Sequence, residues 1–427
     1  MKTYTNTVSE LPLVDEPQIE LRLRSSNQIF QKNKTFKIVS LFSGCGGLDL
    51  GFLGGFNFRG RTFSKNKFKV EFANDIDAGA ELVYNTNKSF FRNHCLVKND
   101  IKNIDLKSIP DFDFLIAGFP CQPFSNAGLR KGIKDERGSL FEECEKLLIE
   151  GLNRSNKPIG FIFENVKGIM SSKMPDGTTI PDEIVKRCEK LGFKTNYKLC
   201  KTSDFGVPTN RQRLIIVGLR KDLDYFNFNL LDEVVNEYSL PNEKFNPYEL
   251  YLGSILADIP VDAPQRKDYW KYSPGGQFMV DKIGPCKDGK EVLTKFINKI
   301  PLDKISKTIT EGKSWKNMNP EDMNTRFRKI WDNPQIYRAP NFYRRFALGE
   351  INGTITASAQ PENCGITHPF ENRRFSIREI ARIQSFPDNF EFPYKTIANA
   401  YKVIGNAVPP IFAWVLARAL QKHLLNE

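Results

Sequence analysis

The sequence is poor in the residues that build metal centres and covalent cross-links. Its 427 residues include three histidines and eight cysteines (45, 95, 121, 144, 188, 200, 286 and 364), with no C-x-x-C pair. That spacing argues against a zinc site and a disulfide framework, and no metal is expected; free thiols suit a reducing cytoplasm. No apolar run resembles a membrane span. The opening residues, Met-Lys-Thr-Tyr-Thr-Asn-Thr, lack the apolar stretch of a secretion signal. Acidic residues are in deficit: 62 Lys and Arg against 50 Asp and Glu leave a formal charge of +12. Such an excess suits a polyanionic partner, because phosphate contacts supply much of nucleic-acid affinity. An ordinary soluble protein can also be basic, so charge alone decides nothing.

The length suggests two or three domains, and at 40% hydrophobic residues the chain can bury their cores. One stretch organises it, Asp113-Phe-Leu-Ile-Ala-Gly-Phe-Pro-Cys-Gln-Pro-Phe-Ser125. Phe114 to Ala117 form an unbroken apolar run, the pattern of a short strand buried on both faces. Gly118 and Pro120 stop the strand and turn the chain. Cys121 is then presented just past a strand's carboxyl end, where open α/β sheets place their ligands. A free cysteine is more often a small buried hydrophobe than a nucleophile. Held between two prolines at a strand exit, it is fixed in a turn where a thiolate can form and act.

In chain order, residues 1–34 are polar and without period, an N-terminal extension. Phe36 to Phe42 is a strand running into Ser43-Gly-Cys-Gly-Gly47 and a helical pattern from Leu48 to Leu53. Strand, glycine turn and helix are the layout of a nucleotide-type cofactor site. Asp49 occupies the third glycine position of the dinucleotide fingerprint, which therefore fails. A second strand, Phe68 to Ala73, ends at Asn74-Asp-Ile-Asp77, with the basic insert 59–69 before it as a longer loop or hairpin. An acid there accepts ribose hydroxyls; alternatively both acids cap a helix beginning near Ala78. Asp100 and Ile101 follow Val97 at the next strand end. Residues 126–138 carry Arg130, Lys131, Lys134 and Arg137 among glycines, a lid over a phosphate backbone or a solvated loop. A helix is expected over 140–152.

The apolar run Ile159 to Phe163 ends at Glu164, a carboxylate that must find a partner or shift its pKa upward. Arg211 and Arg213 precede the strand Leu214 to Val217 and project to one side. From 221 to 370 the pattern loosens. Aromatics (Trp270, Tyr272, Trp315, Trp331, Tyr337, Tyr343) interleave with Arg326, Arg328, Arg344 and Arg345, a mix that suits groove contacts and also arises in small irregular β-rich cores. Ser376 and Glu379 form a capping box for a helix whose face is Ile377, Ile380 and Ile383. A last helix is expected over 411–425.

Gly118-Phe-Pro-Cys-Gln-Pro-Phe-Ser125 closely resembles the catalytic motif of the DNA cytosine-C5 methyltransferases. Further motifs match in that family's order over roughly residues 36 to 420: Phe42-Ser-Gly-Cys-Gly-Gly-Leu48, Glu164-Asn-Val166, Arg211 with Arg213, Gly353-Thr-Ile-Thr356, Arg374 to Asp388, and Tyr401 to Pro410. Thr209 departs from the family, which has glutamine there. The resemblance implies an α/β fold: a Rossmann-like S-adenosylmethionine-dependent methyltransferase domain (35–220, completed by 399–427) and a smaller, irregular target-recognition domain (221–398). It implies catalytic roles for Cys121, Glu164, Arg211 and Arg213. It places the cofactor, and the product S-adenosylhomocysteine, against Phe42, Ser43, Gly44, Gly46, Gly47, Asp75, Ile76, Asp100, Ile101, Asn406 and Ala407. DNA contacts are implied for Gln122, Ser125, Arg130, Arg137 and Thr356. The implied partners are double-stranded DNA and a cognate restriction endonuclease acting separately, with the protein a monomer in a bacterial cytoplasm.

Three rivals stand beside this reading. An RNA cytosine methyltransferase shares fold and chemistry, but relatives acting on tRNA carry a Cys-Phe-Thr tripeptide that does not occur here. A non-catalytic DNA-binding protein would have no need of Cys121 and Glu164. An NAD-dependent enzyme is disfavoured by Asp49.

Overall fold

The structure, a computed structural model, describes residues 30–120, 140–242, 246–286, 289–300, 302–305, 311–335, 342–359 and 365–425. Apolar strands build its centre. β1 (Phe36–Leu41) leads to α1 (Gly47–Leu53), then to a hairpin of β2 (Phe56–Phe58) and β3 (Arg61–Phe63), whose turn and second strand are the first part of the basic insert 59–69. β4 (Phe68–Asp75) and α2 (Ala78–Thr86) follow, then β5 (Val97–Lys98), β6 (Phe114–Ala117), α3 (Leu140–Leu152), β7 (Gly160–Val166), α4 (Ile180–Lys190), β8 (Phe193–Lys201) and β9 (Gln212–Arg220).

Seven strands form one sheet in the order β5-β4-β1-β6-β7-β9-β8. The first five run parallel, and β9 is antiparallel to both its neighbours. The chain builds outward from β1 through β4 to β5, then crosses to β6 on the other side of β1. Strand order therefore reverses at β1, and the crevice beyond its carboxyl end is where such sheets bind ligands. Alternate residues feed opposite faces: Ile38, Phe114 and Ile116 enter one core, and Val39, Leu41, Leu115 and Ala117 the other. The edge strand β8 lacks an apolar run. Its lysines, at 194, 198 and 201, do not keep a two-residue period and most of its residues are half-buried, so periodicity gives little sign of it.

The C-terminal helix Pro410–Leu425 lies along α1. A Cβ on Gly51 would sit 2.3 Å from the Cβ of Ala413, so only glycine permits this approach. The run Ile397–Leu425 is long and apolar enough to cross a membrane, but it is split into two helices and 89% of its most apolar stretch is buried within the protein.

Between 221 and 370 the described residues form short helices, the longest being Pro274–Ile283, and isolated bridges rather than strands. A small separate core gathers Met279, Val280, Ile283, Trp315, Phe327 and Tyr343. This corrects part of the expected groove-contacting set. Trp315, Tyr343 and Arg345 are buried, and Arg345 bonds the carbonyls of His368, Glu371 and Val280. A chain without ladder partners leaves carbonyls that a buried guanidinium can satisfy. Trp331 remains exposed. The Ile377–Ile383 helix has its capping box, but it is buried on every side rather than along one face.

Candidate active site

A cavity of about 560 Å³ opens at the carboxyl ends of β1, β4, β6 and β7. Of the expected cofactor residues, Phe42, Ser43, Gly44, Asp75, Ile76, Asp100, Ile101, Asn406 and Ala407 line it. Gly46 and Gly47 do not. Gly46 has φ +84°, and a Cβ there would meet Phe91 at 2.4 Å; one on Gly47 would meet the Val408 carbonyl at 2.2 Å. These glycines let the turn pack tightly instead of facing the space.

The two acids after β4 divide their work. Asp75 accepts the Gly44 N–H on Oδ2 and the Asp77 N–H on Oδ1, each at 2.8 Å, which fastens the glycine turn to the β4 end. Burial pushes its carboxyl above the ordinary value, with those amides opposing. Asp77 is the helix cap, accepting the N–H groups of Gly79 and Ala80. Between them Ile76 is 66% exposed, an apolar surface open to the cavity. Asp100 caps a short turn by accepting the Lys102 N–H, and Ile101 is buried behind it.

The opposite wall carries Gly118, Phe119, Pro120, Glu164, Asn165 and Arg213. Asn165 donates to the Phe119 carbonyl at 2.9 Å, pinning the turn that leads to residue 121. Glu164 Oε1 lies 2.6 Å from Arg213 Nε, both side chains being more than nine-tenths buried. Burial pulls the Arg213 guanidinium below its ordinary value, with Glu164 opposing. A Cβ on Gly118 would stand 3.3 Å from Glu164 Oε2, so this glycine gives that oxygen room. Arg211 also lines the cavity, but its guanidinium donates to the carbonyls of Ile355, Gly405 and Asn406. It ties three segments together.

Thr209 is fully buried and donates to the Gly353 carbonyl at 2.9 Å, while the Asn210 N–H bonds the Asn352 carbonyl. The 352–356 strip is thereby moored to the start of β9. Half-buried Thr356 abuts Gly405 through its backbone, where a Cβ would lie 2.5 Å away. Cys121, Gln122, Ser125, Arg130 and Arg137 lie outside the described residues.

Lys402 was missed by sequence reasoning. It lines the cavity and pairs with Asp77 Oδ2 across 325 residues of chain, a separation no local pattern can show. Its only signal was its place inside the Tyr401 to Pro410 motif. Among the described residues, no group of three or more His, Cys, Asp or Glu side chains could hold a metal ion.

A family model described as C-5 cytosine-specific DNA methylase matches residues 36–422. The chain is 31% identical over 398 residues to the type II methyltransferase M.FnuDI of Fusobacterium nucleatum, covering 92% of this chain and 96% of that one. It is 30% identical over 396 residues to M.MthTI of Methanothermobacter thermautotrophicus, with coverage of 91% and 97%. In fold it is similar to the methyltransferase Dnmt2 of S. pombe, at TM-score 0.54 and 17% identity, covering 92% and 100% of the two chains.

Proposed function

The chain belongs to the C-5 cytosine-specific DNA methylase family, and from that premise we propose that it transfers a methyl group from S-adenosylmethionine to C5 of a cytosine in a specific duplex DNA sequence. One observation carries the reading. A single cavity joins the glycine turn, Asp75 and Ile76 on one side to Glu164, Arg213 and the turn before Cys121 on the other. Donor and target base thus meet in one space.

The residues fit the donor. Asp75 offers carboxylate lone pairs to ribose hydroxyls, and the exposed Ile76 offers an apolar face to adenine. Asp100, Asn406 and the Ser43–Gly44 turn supply polar contacts. When bound, S-adenosylmethionine supplies an electrophilic methyl group.

Cytosine C5 is a poor nucleophile, and covalent catalysis overcomes this. The Cys121 thiolate adds to C6, placing electron density on C5 and N3. Glu164 delivers a proton to N3 or holds one there, which disperses the developing charge. Arg213 fixes Glu164 through Oε1 and leaves Oε2, beside Gly118, to meet the base. After methyl transfer to C5, a base removes the C5 proton, the C5–C6 double bond re-forms, the thiolate departs and N3 gives its proton back to Glu164. C6 is inaccessible in a stacked duplex, so the cytosine is flipped out of it. Arg211 acts by positioning: it joins the cofactor turn at 405–406 to the 353–356 strip.

The sheet region with the C-terminal helix serves as the catalytic domain, and 221–398 as the target-recognition domain. Duplex DNA is the partner, cleaved when unmodified by a separate endonuclease, and the enzyme works as a monomer in the cytoplasm. The test is incubation with tritiated S-adenosylmethionine and either duplex DNA or tRNA, alongside Cys121→Ser. Label in DNA as 5-methylcytosine, absent from the variant, is expected. Label in tRNA alone, or in neither, overturns the proposal.

A further inference from the structure

Asp49, the residue that spoils the dinucleotide fingerprint, sits fully buried in the first turn of α1. It accepts hydrogen bonds from Ser40 Oγ at 2.6 Å and Tyr84 Oη at 2.9 Å. Ser43 Oγ in turn donates to Ser40, either to Oγ at 2.8 Å or to the carbonyl at 3.1 Å. A hydroxyl has one proton and two lone pairs, whereas a carboxylate only accepts. Ser40 therefore spends its proton on Asp49 and serves Ser43 as an acceptor. Ser43 lines the cavity with its proton turned inward and its lone pairs available outward.

We propose that Asp49 is a positioning residue for methyl-donor binding, setting the direction of the Ser40–Ser43 hydroxyl chain so that Ser43 faces the cavity as a hydrogen-bond acceptor. This rests on the reading of that cavity as the S-adenosylmethionine site. The donor carries hydroxyl and ammonium protons and a sulfonium charge, all of which favour an acceptor on the wall.

Burial pushes the Asp49 carboxyl up to about 6, with Ser40 and Tyr84 opposing. Once protonated, Asp49 can donate to Ser40, and the chain can reverse. Affinity for the donor therefore falls as pH drops through about 6. The titratable groups around Asp49 are few. Burial holds Tyr84, on α2, well above its ordinary value and pushes Cys45, in the glycine turn, up to about 12, so neither titrates in this range. Cys95 lies beyond Tyr84. The C-terminal helix meets α1 through Ala413 and Trp414, which carry no charge. Asp75, across the turn, is itself raised and adds its own loss at low pH. Variants must separate the two acids.

Asp49→Asn keeps the shape and both partners. Its amide nitrogen donates to Ser40, its oxygen accepts from Tyr84, and the chain reverses. The test is calorimetric titration of S-adenosylmethionine into the full-length protein between pH 5 and 8. At pH 7.5 the Asn variant is expected to bind about tenfold more weakly, the worth of one hydrogen bond of this kind. It should unfold at no lower temperature, because a buried charge has been removed. The step near pH 6 should vanish. Ser43→Ala alone should show a smaller loss between pH 7.5 and 5.5 than wild type, and adding Asp49→Asn to it should cost nothing more. Unchanged affinity in Asp49→Asn, effects of the two substitutions that simply multiply, or a full-size pH step in Ser43→Ala would each overturn the inference. Failure of wild type to bind S-adenosylmethionine would overturn the cavity reading, and this inference with it.

Discussion

The sheet region and the chain from 221 onward are held together by opposite means. β6 is buried from end to end without a polar side chain, and its backbone is satisfied by β1 and β7. Among the described residues the later segments have no such ladder, and buried arginines take its place. Arg345 serves three carbonyls; Arg378 serves those of Pro264, Pro387 and Phe390; Arg382 serves those of Ile255 and Asp258. The cost is desolvation, which pulls the Arg345 guanidinium down and Arg378 to about 10. Regular backbone is held by apolar packing, irregular backbone by charge turned inward. Part of the +12 charge is therefore structural and never meets a polyanion.

The largest effect is expected where the two means meet, at the buried Glu164–Arg213 ion pair flanking the sheet's cavity. Arg213→Ala leaves the buried Glu164 at the cavity wall without its cation, costing about 3–5 kcal/mol. Methyl transfer should fall by about two orders of magnitude or more, read by denaturant unfolding and single-turnover assays together. A variant that keeps its stability would show that water, not Arg213, satisfies the carboxylate. Next come two matched substitutions. Phe161→Ala removes a ring stacked on Phe163 at 4.4 Å and should cost about 3–5 kcal/mol in one global transition. Arg345→Met should cost about 3 kcal/mol by orphaning carbonyls, with hydrogen exchange rising over 270–372 and not in the sheet. Equal exchange in both regions would dissolve the distinction.

The smallest effect belongs to Lys402→Ala. Burial raises the Asp77 carboxyl, but Lys402 and the amides of Ala80 and Gly79 outweigh it and hold the group below its ordinary value. Lys402 is half exposed, so the pair should contribute no more than about 1 kcal/mol, less in high salt. Because the folded pKa is depressed, this contribution is present above the ordinary value of 3.8 and lost as pH falls through the folded one. Thermal melts at pH 7 and pH 3 should show a larger difference between variant and wild type at the higher pH.

The same contrast explains what the sequence disclosed. Apolar runs at 36–41, 114–117 and 160–163 announced buried strands, and chemistry at a strand's carboxyl end follows directly from the next few residues. The positions of Glu164 and Asp75 were legible for that reason, and the Ser376–Glu379 capping box by its own three-residue spacing. Arg345 was not. Beside aromatics it resembles a groove-contacting residue, and only the orphaned carbonyls of distant segments draw it inward. Asp49 was visible merely as a missing glycine, because its partners Ser40 and Tyr84 come from two other elements. Lys402 depended on a pairing with residue 77 that sequence spacing does not encode.

Two walls of the cavity come from segments far apart in the chain. Its glycine turn spans 42–48, and its far rim, 402–408, arrives with the helix that covers α1. At ~5–20 residues per second, a ribosome takes roughly 20–80 s to pass from one wall to the other. Even once β9 has emerged, the cavity still lacks this rim. A chain truncated before residue 402 would lack that rim and is expected to lose methyl transfer. The pocket is thus completed last, by the segment farthest in sequence from the turn it faces.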